Sequence, residues 1–256
     1  MIYILGGQGF IGSGIAKTCE SAGRECTIVD LHNYESFRGK KCRILINAAG
    51  NSKKFLAAQD PIKDFDASVR SVRASLVDFT CQTYVLISSA DVYPDSSCPA
   101  ATIEDQDLNP SQMTPYGFHK YVAELCVRHC AKEWLVLRGG GFVGPSLKKN
   151  AIYDILHGGP LWLDPESELQ YIHTHQFAAL ILQLLDLGIK NEIFNLSATG
   201  VVKLSEAMKW AERNIPVQSN SPRVRCELNL SKVSAYVDLP DTRSTVRKFV
   251  ESPSNV

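Results

Sequence analysis

The hydrophobic pattern opens on a short apolar run, Ile2 to Leu5, that breaks into glycines and resumes as an amphipathic stretch from Ile11 to about Ala22. A second apolar run, Cys26 to Val29, ends in Asp30. Short apolar runs bounded by turn residues suit strands buried on both faces, so this order predicts strand, tight turn, helix and strand, the first half of a doubly wound parallel sheet. Further runs follow at Ile44 to Ile46, Tyr84 to Ile87 and Trp134 to Leu137, ending in Asn47-Ala48-Ala49-Gly50, Ser88-Ser89 and Arg138-Gly139. Between the first two of these, Phe65, Val69, Val72, Leu76 and Phe79 keep helical spacing and predict one long helix over about 61 to 80.

Only 12 residues separate Asp30 from Arg43, too few for a further strand and its crossover helix. The strand ending at Asp30 is therefore expected near the sheet edge, with the usual third strand missing. Beyond about residue 145 the pattern predicts helices near 150 to 157, 175 to 187, 204 to 213 and 241 to 250, and a strand at Ile193 to Leu196. The expected architecture is α/β. Residues 1–145, with returns to the sheet near 171–197, are expected to form one doubly wound domain of the Rossmann type, and 146–170 and 198–256 a small second lobe.

Composition removes several partners. The 256 residues carry 27 basic and 27 acidic side chains and a pI of about 7.0, so no global field recruits nucleic acid or an anionic bilayer. No apolar run is long enough to span a membrane, no basic segment precedes the first strand, and the chain reads as cytoplasmic. The eight cysteines are scattered. Cys126 and Cys130, with His129 between them, and the pair His173 and His175 each lack a matching second pair, so no metal is expected.

Gly6, Gly9 and Gly12 follow the first strand and open the first helix, the context in which glycines let backbone N–H groups approach a pyrophosphate. Asp30, 18 residues after Gly12, is placed to accept from a ribose diol and to repel a 2′-phosphate, which favours NAD over NADP. Asp30 as a simple turn residue is the alternative, and Arg24, Lys40 and Lys41 folded over the site would favour NADP. Tyr116 and Lys120 stand four apart on a predicted helix, hence on one face. A lysine ammonium at that spacing is expected to lower a phenol pKa from about 10. His119 between them is expected at solvent or a loop.

With these glycines, Asn47-Ala48-Ala49-Gly50, Ser88 to Tyr93, and Tyr116 to Lys120 in this order, the chain resembles the extended short-chain dehydrogenase/reductase family over about residues 1 to 200. Within it, the chain looks most like NAD-dependent epimerases and dehydratases of nucleotide sugars. The resemblance implies Ser89, Tyr116 and Lys120 as the catalytic group, with Ser88 structural. It also implies cofactor contacts from Gly6, Gly9, Phe10, Ile11, Gly12, Asp30, Ala48, Ala49, Gly50 and Lys120, and substrate contacts from Asp91, Asn150 and Arg223. The implied substrate is a sugar or nucleotide sugar, the implied cofactor NAD, and a homodimer through the helices near 61–80 and 114–131 is the family expectation.

Several positions depart from the family pattern. Ala90 and Asp91 stand where dehydratases carry an acid pair, which disfavours dehydration. Leu169 and Gln176 replace an Arg and an Asp of the late motif, leaving Arg223 or Arg225 for a diphosphate. Ser68 aligns with a helix asparagine. The reading is an oxidoreductase working as epimerase or ketoreductase. A non-catalytic nucleotide-binding regulator and a reductase of a non-nucleotide small molecule are the alternatives.

Overall fold

All four residues of β1 (Ile2–Leu5) are buried, as a strand covered by helices on both faces must be. The computed structural model describes residues 1–51 and 54–252. From β1 the chain turns through Gly6 into α1 (Phe10–Ser21) and returns as β2 (Cys26–Val29), parallel to β1. Only the four-residue α2 (Tyr34–Phe37) fits before β3 (Lys41–Asn47), which pairs with the other side of β1. The short connection thus costs the fold one strand and leaves β2 at the edge.

Next come α3 (Lys54–Gln59), α4 (Pro61–Phe65), a π-helical turn at Asp66–Arg70 and α5 (Ser71–Asp78), then β4 (Thr80–Ser89), α6 (Pro115–Cys130) and β5 (Glu133–Gly139). The single helix expected over 61–80 is therefore three segments. Asp60 caps the start of α4, the π turn widens the middle, and the hydroxyls of Ser71 and Ser75 bond back to the carbonyls of Ala67 and Val72 at 2.6 and 2.8 Å. Such back-bonding competes with a regular ladder. Apolar periodicity alone does not report it.

The remainder comprises β6 (Gly141–Val143), α7 (Ala151–His157), β7 (Glu168–Leu169), β8 (Tyr171–His173), α8 (Thr174–Asp186), β9 (Glu192–Leu196), β10 (Val202–Lys203), α9 (Leu204–Trp210), β11 (Arg225–Cys226), α10 (Ser231–Ser234) and α11 (Thr242–Val250). Among the described residues the main sheet has six parallel strands in the order β2-β1-β3-β4-β5-β9. Of the expected returns near 171–197, β9 extends this sheet, while β8 pairs with β6 in a separate two-stranded one.

One apolar cluster includes Ile4, Ile15, Val85, Leu137, Phe177 and Phe194, and a second includes Leu5, Leu45, Val72, Leu86, Val127 and Val136. Neighbouring strand residues such as Ile4 and Leu5 go to different clusters, because alternate side chains face opposite sides of a sheet. A third cluster, including Val143, Ile152, Tyr171, Leu204 and Phe249, is the core of the later elements. Among the described residues no helix is long and apolar enough to cross a membrane.

Candidate active site

Because the strands are parallel and in register, Leu5 opposite Asn47, Asn47 opposite Leu86 and Ser89 opposite Gly139, their C-terminal ends share one rim. Ligands of open α/β sheets bind at that rim. At its β1 end the Gly9 N–H donates to the Gly6 carbonyl at 2.9 Å, and Gly9 caps α1. A Cβ at Gly12 would collide with the Gly6 carbonyl, so the turn and the helix meet as closely as backbone allows. The outcome is a tight glycine cradle opening the first turn of α1, where Phe10 and Ile11 are half-buried. There the unpaired N–H groups and the helix dipole suit a phosphate.

The β3 end lies against this cradle. A Cβ built on Gly6 would meet the Cα of Ala49 at 2.8 Å. Asn47 accepts from the Ala49 N–H at 3.0 Å and donates to the Tyr84 hydroxyl at 2.7 Å, which fixes the turn carrying Ala48, Ala49 and Gly50.

Asp30 closes β2 and also serves its turn, accepting the His32 N–H at 2.8 Å on one carboxylate oxygen. Of the three cations that would have favoured NADP, two are engaged elsewhere and the third stands at the far end of its strand. Arg24 pairs with Asp186, Lys40 sits over the Phe37 ring at 4.2 Å, and Lys41 opens β3 at the end of the strand away from the rim.

The β4 end brings the other sequence candidates together. Thr114 caps α6 through the Gly117 N–H at 3.1 Å, and Pro115 occupies the first turn. Gly117 packs so closely on the Asp91 carbonyl that a Cβ there would overlap it. This contact sets the start of α6 against the end of β4 and puts the buried Tyr116 phenol within hydrogen-bonding reach of the Ser89 hydroxyl. Ser89 donates to Asp91 at 2.7 Å and accepts the Asp91 N–H at 3.2 Å, and the other Asp91 oxygen pairs with Lys54 at 2.7 Å. Lys120, also buried, donates to the Ile87 carbonyl at 3.3 Å with its Nζ 6.0 Å from the Tyr116 ring centre.

The electrostatics differ from the expectation at Tyr116. Burial pushes its phenol above the usual range, the Asp91 and Asp64 carboxylates add to this, and the Ser89 hydrogen bond works the other way. Burial likewise pushes the Lys120 ammonium below its ordinary value, opposed by Glu124, Asp64 and Asp91. Desolvation thus outweighs the one-turn pairing. The phenol rests neutral rather than ionised.

His119 is also corrected. Instead of facing solvent it is buried, with Nδ1 2.5 Å from Asp64, which is itself fully buried. The other Asp64 oxygen accepts from Asn51 at 2.6 Å and Ser68 at 3.4 Å. Sequence reasoning passed over Asp64, Lys54 and Glu124. The signal for Asp64 and Glu124 was available: Asp64 stands four before Ser68 and Glu124 four after Lys120, one helical turn in each case.

Ser88 donates to Glu124 at 2.5 Å and is a framework residue. Glu124 in turn takes Arg138 through two bonds, 3.1 and 2.8 Å, and Arg138 also donates to the Tyr93 hydroxyl at 2.8 Å. Burial works against the Arg138 charge, but Glu124 and Tyr93 more than offset it and raise its pKa above the ordinary value.

The expected substrate contacts divide. Asp91 lies beside Ser89. Asn150 instead has both ends of its amide engaged within the fold, accepting the Tyr153 N–H at 3.0 Å as the cap of α7 and donating to the Phe142 carbonyl at 2.8 Å. Arg225 is paired with Glu168 and Glu227, and the exposed Arg223 acts on the charges of Glu166 and Lys203 at the surface of the later elements. His173 caps α8, accepting from the His175 N–H at 3.2 Å.

A glycine cradle at a helix start, an acid at the end of β2, and a Ser, Tyr and Lys group thus share the rim where open α/β sheets take their ligands. The chain belongs to the NAD dependent epimerase/dehydratase family, whose model matches residues 2–197. Its fold is similar to that of a UDP-galactose 4-epimerase, with TM-score 0.80 and 19% identity over 98% of this chain and 97% of that one. It is also similar to UDP-glucose 4-epimerase from Thermus thermophilus complexed with NAD, with TM-score 0.74 and 18% identity over 98% and 97% of the two chains. A third similar structure is dTDP-4-dehydrorhamnose reductase from Bacillus anthracis in complex with NADP, with TM-score 0.77 and 16% identity over 97% and 96%. No curated protein sequence matches the chain.

Proposed function

We propose that the chain oxidises or reduces a hydroxyl or ketone carbon of a nucleotide sugar, as an epimerase or a ketoreductase, with Ser89, Tyr116 and Lys120 as its catalytic residues. The observation that carries this is the convergence of the Ser89 hydroxyl and the Tyr116 phenol at the rim beside buried Lys120. The glycine cradle fits a dinucleotide pyrophosphate, since a Cβ at Gly12 would close it. Phe10, Ile11, Ala48, Ala49 and Gly50 would line its course, Asp30 would receive the adenine ribose, and Lys120 the nicotinamide ribose. When bound, NAD supplies the hydride acceptor and donor.

In the reductive direction Ser89 hydrogen-bonds the substrate oxygen and Tyr116, which rests protonated, gives that oxygen its proton. Lys120 then stabilises the phenolate left behind. The oxidative direction is the reverse: it starts from the Tyr116 phenolate held by Lys120, which takes the proton of the substrate hydroxyl as the carbon gives up its hydride. In the resting site the Ser89 hydroxyl gives its one proton to the Asp91 carboxylate, and that proton turns to the substrate oxygen when substrate is bound. Ala90, beside it, offers no second carboxyl, which argues against dehydration. The later elements, 146–170 and 198–252, form the substrate-binding lobe, with Arg223 at its surface. Exposed Ile62 and Phe65 on α4 and Phe118 and Leu125 on α6 support pairing with a second copy through these helices. Eight free thiols agree with a cytoplasmic setting.

The test is conversion of UDP-, dTDP- and GDP-sugars and their keto derivatives by the purified chain with NAD or NADH. Turnover inhibited by free nucleoside diphosphates supports the reading, and NAD retained through desalting selects epimerase over reductase. No turnover of any of these compounds would overturn it.

A further inference from the structure

Three carboxylates act on the Lys120 ammonium: Glu124 from α6, Asp64 from α4 and Asp91 from the turn after β4. Tyr116 faces it from its own helix. Two of the three carboxylates already hold a cationic partner of their own. Glu124 is paired with Arg138 and Asp91 with Lys54. Asp64 differs, because its close partner is the imidazole of His119, which carries charge only when protonated, and it also accepts from the neutral Asn51 and Ser68.

The pair is built into the crevice. Asp64 is fully buried and His119 nearly so, with the Phe65 and Phe118 rings packed on the imidazole at 5.6 and 5.8 Å. The Ser68 hydroxyl, bonded to Asp64, and the Lys120 Nζ both come close to the space above Gly50, 3.9 and 3.8 Å from a Cβ built there. His119 is the residue before Lys120 on α6, so the bond to Asp64 ties α4 to the helix turn that carries the lysine.

We propose that the Asp64–His119 pair is a positioning element for Lys120: the imidazole ties the buried carboxylate to the turn of α6 that carries the lysine, and the carboxylate faces the ammonium from α4 as a counter-charge. A buried charge without a counter-charge gives up its proton instead. The proposal rests on the oxidoreductase reading only for the use made of Lys120, since the charge balance is a property of the chain alone.

The experiment is the titration midpoint of Lys120 in the full chain, read by carbon NMR of lysine labelled at Cε and assigned by the resonance lost in Lys120→Met. Asp64→Asn is expected to move that midpoint down by about 1 pH unit, and Asp64→Glu to leave it near the wild-type value. Should Asp64→Asn not fold, Asp64→Ser removes the same charge and carries the same expectation. A lowered melting temperature with an unmoved Lys120 midpoint marks a purely structural pair and overturns the proposal. NADH binding, followed by fluorescence, separates the two readings. If wild-type protein does not bind NADH, the oxidoreductase reading fails while the midpoint still decides the role of Asp64.

Discussion

The backbone carbonyl of Asp91 occupies the place that a side chain at Gly117 would need. That contact fixes how α6 docks on the end of β4, and with it the approach of Tyr116 to Ser89. Gly117→Ala is therefore expected to push the helix start outward and lower kcat about 100-fold, since displacements near 1 Å at reacting groups have effects of that order. NADH affinity should change less, because the glycine cradle lies on β1 and α1. Steady-state kinetics with an NADH titration checks both; an alanine variant with normal kcat contradicts the packing argument.

How far the chain announced this arrangement depends on the kind of signal. The strand ends at Gly6, Asn47 and Ser89 were legible because buried parallel strands read as apolar runs that stop abruptly. The missing strand was legible by length, since 12 residues cannot hold a strand and a helix. The break in the 61–80 helix was hidden, because a π turn leaves the apolar residues near their helical spacing. The Tyr116 pKa was misjudged for a related reason. Spacing gives the neighbour on a helix face, but the depth of burial that dominates here is set by α4, β4 and α6 together.

The resting state of that phenol gives a second prediction. With burial and two carboxylates pushing its pKa up, Tyr116 should contribute no tyrosinate absorbance up to about pH 10 in cofactor-free protein. Alkaline difference spectra of wild type and Tyr116→Phe should coincide up to that point. A tyrosinate titrating near neutrality and lost in the variant would restore the one-turn lysine effect as the stronger force.

Glu124 ties Arg138, Ser88 and α6 into one buried network. Removing one partner of a buried ion pair leaves the other charge uncompensated, so Glu124→Gln should cost about 3 kcal/mol of unfolding free energy. The sign with pH follows from Arg138, whose raised pKa keeps it charged across the accessible range, so the loss should be similar from pH 6 to 9. Urea melts at both ends of that interval measure it. A loss under about 1 kcal/mol would mean that the network adds little net stability.

Asp30 is expected to set the choice between NAD and NADP. Its carboxylate stands on the β2 end of the rim, and Arg24 and Lys40 are engaged elsewhere. Asp30→Ser should weaken NADH binding and improve NADPH binding, changing the ratio of the two affinities by about tenfold, the effect of about 1.4 kcal/mol. Fluorescence titrations with both cofactors read the ratio. A ratio unmoved by the substitution would leave Asp30 with only its turn bond to His32.

Proton transfer at Tyr116 is the step on which the proposed chemistry depends, and the most direct measurement is the single-turnover rate of hydride transfer in Tyr116→Phe beside its NADH affinity. The rate should fall by about 10²- to 10⁴-fold with NADH bound as in wild type. An unchanged rate with cofactor bound would contradict it.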